Sequence, residues 1–190
     1  EVIQDSPENP GLRCVPATIH LAGAEIDMVS VPNRERILLD SLNGFLADFD
    51  HPIHFVFIDS PPSLGLLTVN ALVAAGEVLV PIQCEYYALE GVTQLMANIE
   101  RIRANLNPEL VVGGILLTMF DNRTNLSTDV AAEVRKYFPK QTLNATIPRS
   151  VRLSEAPSFG QTAISYDPKN SGSLAYQEAA IELAQRGVVK

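Results

Sequence analysis

Short apolar runs of strand length alternate with segments of helical period along most of this chain, and no other feature limits the fold as much. His54-Phe55-Val56-Phe57-Ile58-Asp59 predicts a buried strand ending on a carboxylate. Glu77 to Ile82, Leu110 to Thr118 and Leu143 to Ile147 predict three more, and Leu12 to Thr18 a short first one. Between them, Leu38, Leu42, Phe45 and Phe49 share one face of a helix that follows Ser30-Val31-Pro32 and stops at His51-Pro52. A second helix covers 66–75, with Gly76 as its cap. Leu89, Val92, Met96, Ile99 and Leu106 form the core stripe of a helix over 89–106, which Asn107-Pro108 ends. Val130, Val134 and Phe138 mark a helix over 128–138. Pro148 to Asn170 reads as a long loop before a last helix ending near Gly187. Gly113-Gly114 inside a strand predicts a bulge or a close backbone approach.

The expected architecture is therefore α/β, an open and mostly parallel sheet flanked by helices, in a single domain over 1–190. In such sheets ligands sit beyond the carboxyl ends of the strands. Asp59, Thr118 and Pro148 all fall at such ends, so the loops after them are the expected site.

Composition narrows the class. The chain is 46% hydrophobic and 19% charged, a balance that suits a globular core. Its longest apolar runs, such as residues 71–75, fall far short of the ~18–20 residues that span a bilayer. No basic segment followed by an apolar stretch opens the chain, so a cytoplasmic protein is expected. Cys14 and Cys84 lack metal-ligand spacing and read as reduced thiols. His20, His51 and His54 have no second ligand at metal spacing and read as surface or strand-edge residues. Charge is uneven: residues 1–110 hold 5 basic and 15 acidic side chains, a net of −10, whereas residues 111–190 hold 9 and 7, a net of +2. A polyanion would meet the second half, unless the asymmetry is ordinary surface scatter.

Asp59 is the leading candidate for chemistry. At the rim of a sheet beside a Pro-Pro turn, its carboxylate can hold Mg²⁺, directly or through water, or simply cap the turn. The surrounding Phe57-Ile58-Asp59-Ser60-Pro61-Pro62-Ser63-Leu64-Gly65 resembles the Walker B and switch II region of ParA/Soj proteins, usually written DxPPSLG. Four further segments match that family in order: Val15 to Thr18 with Leu21 to Glu25, then Pro81 to Gly91, Leu116 to Leu126, and Ile147 to Ser158.

The resemblance implies a deviant-Walker P-loop NTPase with a three-layer fold that dimerises around ATP and binds DNA without sequence preference at the nucleoid. A ParB-like partner would stimulate its hydrolysis. It makes Asp59 the catalytic-site carboxylate of the Mg²⁺ shell, acting through water. Pro61, Pro62 and Gly65 become the switch that senses the γ-phosphate, and Thr118, Met119, Pro148 and Arg149 the residues near adenine. Arg123 and Arg152 match the arginines the family places on DNA phosphates. Both lie in loops of the less acidic half, where guanidinium forks reach backbone oxygens. Arg123 can equally pair with Asp121 or Asp129, and Arg152 with Glu155. Lys169 reads as a solvated lysine, and Tyr86 and Tyr87 as partner contacts or core aromatics.

The chain departs from the family pattern in one respect. The family's phosphate loop has the form KGGxGKT, whose backbone N–H groups and lysines grip the phosphates. Here the only Gly-Gly is Gly113-Gly114, without a following lysine, and there is no G-K-S/T and no DxDPQ switch I. The family places both elements, with the first strand of the sheet, ahead of the matched region. These 190 residues alone are therefore expected to bind ATP weakly and hydrolyse it little. Two other readings stay open: a non-enzymatic module for DNA or a partner, and a MinD-like positioning ATPase. The final Ala184 to Lys190 lacks a basic-apolar membrane helix, so no membrane role is expected.

Overall fold

The structure is a computed structural model that describes residues 2–50, 52–61 and 63–186. His51 and Pro62, the latter one of the expected switch residues, lie outside the described residues, as does the segment after Arg186. Two compact units are present: residues 1–76 with Ile99–Leu110, and residues 77–98 with 111–190.

In the first unit, β1 (Gln4–Asp5) and β2 (Arg13–Cys14) form a small antiparallel pair. The strand expected over Leu12 to Thr18 is thus two residues long; Pro16 has no N–H with which to continue a ladder. Ile19–Gly23 winds as a 3₁₀ turn into α1 (Ala24–Asp27). Helix α2 (Ile37–Ala47) half-buries Leu38 and Leu42, with Phe45 5.0 Å from Phe49 on the same side, as their spacing predicts. Helix α3 (Leu66–Ala74) is fastened at both ends. The Glu25 carboxylate accepts the Leu67 N–H at 3.1 Å, satisfying an otherwise orphaned first-turn donor. At the other end the Asn107 side-chain amide donates to the carbonyls of Leu72 (2.9 Å) and Ala75 (2.8 Å). Gly76 is not in the left-handed region, so Asn107 does the work expected of that glycine. Buried Asn70 accepts the Leu38 N–H at 3.1 Å and donates to the Arg34 carbonyl at 2.8 Å, which docks α2 on α3.

The apolar run at 54–59 does not form the predicted strand. Phe55, Val56 and Phe57 are 52%, 49% and 88% exposed. Composition fits a strand, but a strand also needs a neighbour to take its N–H and C=O groups, and none of the described strands pairs with it.

In the second unit, β3 (Glu77–Gln83), β4 (Val111–Phe120) and β5 (Thr142–Pro148) form a parallel sheet in that order. The helices are α4 (Ala88–Asn105, whose residues from Ile99 on are counted with the first unit), α5 (Asn125–Tyr137), α6 (Val151–Glu155), α7 (Ala163–Tyr166) and α8 (Ser171–Gln185). Alternation along β4 divides the core. Ile115 and Leu117 pack with Val80, Ile82 and Cys84 against Val92 of α4 and Val130, Ala131 and Val134 of α5. Leu116 points the other way, with Leu143, Ala145 and Ile147 of β5, onto Ala175 and Ala179 of α8. The unit is thus a three-layer α/β arrangement of the expected class.

The paired glycines behave as predicted. The register slips between Val78 and Leu79, leaving Gly113 unopposed, and a Cβ there would collide with the Glu77 carboxylate. A Cβ on Gly114 would lie 2.6 Å from Leu143 Cδ1. The segment 148–170, expected as loop, instead holds α6, a 3₁₀ turn at Ala156–Phe159 and α7. Helices of four or five residues are too short to show a period. Contacts with α8 hold α6 and α7: Leu153 of α6 packs on the cluster that includes Ala175 and Ala179, and the buried Ser173 hydroxyl donates to the carbonyls of Ala163 (2.9 Å) and Asp167 (2.7 Å) at α7. The outer edge of β5 is covered by α8. Glu182 accepts the N–H groups of Asn144 and Ala145, both at 2.9 Å, and Arg186 donates to the carbonyls of Lys140, Gln141 and Thr142.

Candidate functional site

The carboxyl ends of β4 and β5 bring four of the sequence-predicted residues together. Thr118 is fixed by its hydroxyl, which donates to the Ile82 carbonyl at 3.1 Å, and its own carbonyl accepts the Cys84 N–H at 3.0 Å. Met119 follows at φ 53, a left-handed backbone uncommon for a residue with a Cβ. Pro148 lies opposite Phe120, and the Arg149 N–H donates to the Phe120 carbonyl at 2.9 Å.

Beyond these strand ends lies an open cavity of about 970 Å³, where the first turns of α4 and α5 approach. Met119 and Arg149 line it; Thr118 and Pro148 support it from behind without lining it. Tyr86, Tyr87, Leu95, Val92 and Leu126 supply apolar wall, and Glu85, Asp121, Thr124 and Ser127 the polar groups. Tyr86 and Tyr87 stand edge to face at 5.1 Å and are 76% and 73% exposed, so neither is a core aromatic. The Arg149 guanidinium meets the Glu85 carboxylate at 3.1 Å. Buried Cys84 also lines the cavity; burial pushes its thiol up, against smaller opposing effects of Ser127 and Arg135, so it is an inert thiol. Cys14 is free and exposed, and His20 and His54 are exposed, as surface positions require.

The loop after β4 carries Arg123. Its Nε donates to Asp121 Oδ1 at 2.9 Å and its Nη2 to Oδ2 at 2.7 Å, a two-pronged pair. The same Oδ1 accepts the Arg123 backbone N–H at 3.0 Å. These hydrogen bonds from Arg123, side chain first, hold the Asp121 carboxyl down at about 2, with Arg149 adding to the pull. The loop is locked from below: the Asp121 N–H donates to the Ser127 hydroxyl at 3.0 Å, and Thr124 caps α5. Of the two carboxylates within sequence reach of Arg123, Asp121 is the one engaged.

Arg152, on α6, lies in a separate cluster. It pairs with Glu155 at 3.2 Å, approaches Asp167 at 3.9 Å and donates to the Tyr166 hydroxyl at 3.4 Å, while Tyr166 stacks on Phe159 at 5.0 Å. Lys169 is exposed.

The expected switch residues belong to the first unit. Asp59 is exposed on the irregular segment. Pro61 is tied to α3 through its carbonyl, which accepts the Thr68 hydroxyl at 3.3 Å. Gly65 precedes α3, and a Cβ there would displace the Glu25 carboxylate that accepts the Leu67 N–H. Among the described residues no cluster of three or more His, Cys, Asp or Glu is placed to hold a metal ion. None of their helices is long and apolar enough to cross a membrane.

Two residues of the site had little or no sequence signal as site residues. Asp121 is visible only as one of two possible partners for Arg123. Glu85 pairs with Arg149 across 64 positions, a distance no local pattern reports.

The chain as a whole has relatives among known proteins. A family described as an AAA domain matches residues 1–112. The chromosome partitioning protein ParA of Myxococcus xanthus is 51% identical over 179 residues, 94% of this chain and 62% of that protein. The sporulation initiation inhibitor protein Soj of Bacillus subtilis is 48% identical over 176 residues, 93% and 68% respectively. The chain thus spans about two thirds of the length of these relatives. Among solved structures, cobyrinic acid a,c-diamide synthase from Mycobacterium smegmatis with bound ADP and magnesium superimposes with a TM-score of 0.77 at 36% identity, covering 97% of this chain and 65% of that one. An ATP complex of a Cyanothece McdA variant gives a TM-score of 0.78 at 15% identity, covering 100% and 70%, a likeness of fold alone.

Proposed function

This chain belongs to the ParA/Soj family of partitioning ATPases, and we propose that it serves chromosome or plasmid segregation as an ATP-dependent, DNA-binding dimer of the cytoplasm, acting at the nucleoid. In this reading its two units are parts of one ATPase domain. The observation that carries it is the cavity at the carboxyl ends of β3, β4 and β5. Met119 and Arg149 line it, and they are residues that the family resemblance independently assigns to the adenine side. Its mixed apolar and aromatic wall with a few converging polar groups suits a nucleobase.

Asp59 would hold Mg²⁺ through water. A single carboxylate is enough, because Mg²⁺ keeps several waters and takes its remaining ligands from phosphate oxygens. Pro61, Pro62 and Gly65 would form the turn that follows the γ-phosphate. The phosphate grip has no counterpart in these residues, so the 190-residue chain by itself turns over little or no ATP. Arg123 and Arg152 would contact DNA phosphates, giving salt-sensitive binding without sequence preference. A ParB-like protein would be the partner that stimulates hydrolysis.

Two measurements test this. Magnesium-dependent ATP turnover by the 190-residue chain above background would contradict the missing-grip argument. In the intact protein, Asp59→Ala should abolish magnesium-dependent turnover. Turnover equal to the parent's would remove Asp59 from the metal shell.

A further inference from the structure

We infer that Asp121 is a positioning residue for DNA binding, one that fixes the Arg123 guanidinium so that its outer edge is ready for a backbone phosphate. This rests on the DNA-binding reading above. The carboxylate occupies the Nε and Nη2 side of the guanidinium, at 2.9 and 2.7 Å. Nη1 makes no hydrogen bond among the described residues, which leaves the Nη1–Nη2 edge open for a two-pronged phosphate contact. The burial pattern gives this a direction: the Asp121 side chain is 17% exposed and that of Arg123 81%. The anion lies underneath and the cation faces solvent, so an approaching phosphate meets the guanidinium first.

The support is stiff. Asp121 also accepts the Arg123 backbone N–H, and its own N–H and carbonyl are tied to Ser127 and Thr124. A free arginine loses substantial rotamer freedom when it binds a phosphate, and here the two-pronged pair with Asp121 has already removed part of it. The opposing effect is repulsion between Asp121 and the phosphate, which is screened by water and salt beyond the guanidinium. Arg152 is held differently. Its carboxylates, Glu155 and Asp167, are 42% and 37% exposed, and each makes a single longer contact. Those are ordinary surface pairs, and they carry no such positioning.

The test uses the intact protein and duplex DNA of arbitrary sequence, with affinity measured across a salt series. Asp121→Asn keeps an acceptor for the Arg123 N–H but loses the charged two-pronged pair. It should weaken binding about fivefold, with the slope against salt unchanged because no phosphate contact is lost. Affinity equal to or above the parent's would show that the carboxylate does not position, or that it competes with DNA, and would overturn the inference. The Asp121→Asn, Arg123→Ala double variant guards against a general loss of fold. It should bind like Arg123→Ala alone, because Asp121 acts through Arg123. Further weakening in the double variant would place its effect on the fold and sink the inference. If Arg123→Ala alone leaves both affinity and slope unchanged, the DNA reading of Arg123 fails first, and that result is distinct from either outcome above.

Discussion

Two stretches of this chain have nearly the same strand-like composition and opposite structures. Residues 54–59 run His-Phe-Val-Phe-Ile-Asp and stay irregular and exposed, while Val111–Phe120 becomes the central strand β4, with Ile115 and Leu117 fully buried. Apolar composition is therefore not what separates them. β4 has β3 on one side and β5 on the other, so its backbone groups are paired and each face has a helix layer to pack on. Residues 54–59 have no ladder neighbour among the described residues. The functional consequence follows the same line. The cavity and Arg123 of the second unit stand beyond strand ends that are paired, and Arg152 stands on the short helix that follows β5. Asp59, the expected metal-side carboxylate, stands on a segment whose geometry these residues do not fix.

The largest expected effect breaks the comparison at its centre. Leu117→Ala in β4 should cost about 3 kcal/mol, whereas Phe57→Ala should change stability by less than about 0.5 kcal/mol, because Phe57 is already 88% exposed. Chemical denaturation of the 190-residue chain measures both, and a similar loss for the two variants would show that 54–59 is packed after all.

Glu182→Ala comes next, at about 2 kcal/mol, because it strips the acceptor from two N–H groups at the edge of β5. Burial raises the Glu182 carboxyl, but the Ala145 and Asn144 N–H groups and Arg186 outweigh it and hold it below its ordinary 4.5. A depressed carboxyl stabilises the fold above its unfolded value, and that contribution is lost as pH falls through the folded value. The parent should therefore lose more stability than the variant when pH is lowered through the acid range below 4.5. Parallel pH curves would contradict this.

Gly114→Ala should cost about 1–2 kcal/mol, since its Cβ would press on buried Leu143 at 2.6 Å. A neutral result by thermal melting would mean that the sheet gives way there. The smallest expected change is in Asp121. Its carboxyl is held at about 2 by Arg123, so an NMR titration should find it ionised throughout the neutral and mildly acid range. The Arg123 pair would be lost only as pH falls towards that value. A midpoint near the ordinary 3.8 would mean that the pair is not formed.

Much of this was legible in the sequence, and the exceptions share a cause. Wherever pattern and partner lie within one element the reading holds. The α4 stripe buries Val92 and Ile99, the paired glycines sit at a bulge, and Arg123 and Arg152 find acidic partners two and three positions away. It fails where the partner is remote. The fate of 54–59 depends on strands that composition cannot supply. Helix α7 is held by Ser173, which follows it in the chain, and the end of α3 is capped by Asn107, more than thirty positions on. The Glu85–Arg149 pair that lines the cavity belongs to the same class.

The most direct test of the account is the salt dependence of DNA affinity in the intact protein, with the parent set against the Arg123→Ala, Arg152→Ala double variant. Loss of two phosphate contacts should weaken binding and reduce the slope of log affinity against log salt by about 2. A double variant with the parent's affinity and the parent's slope would contradict the claim that Arg123 and Arg152 contact DNA phosphates.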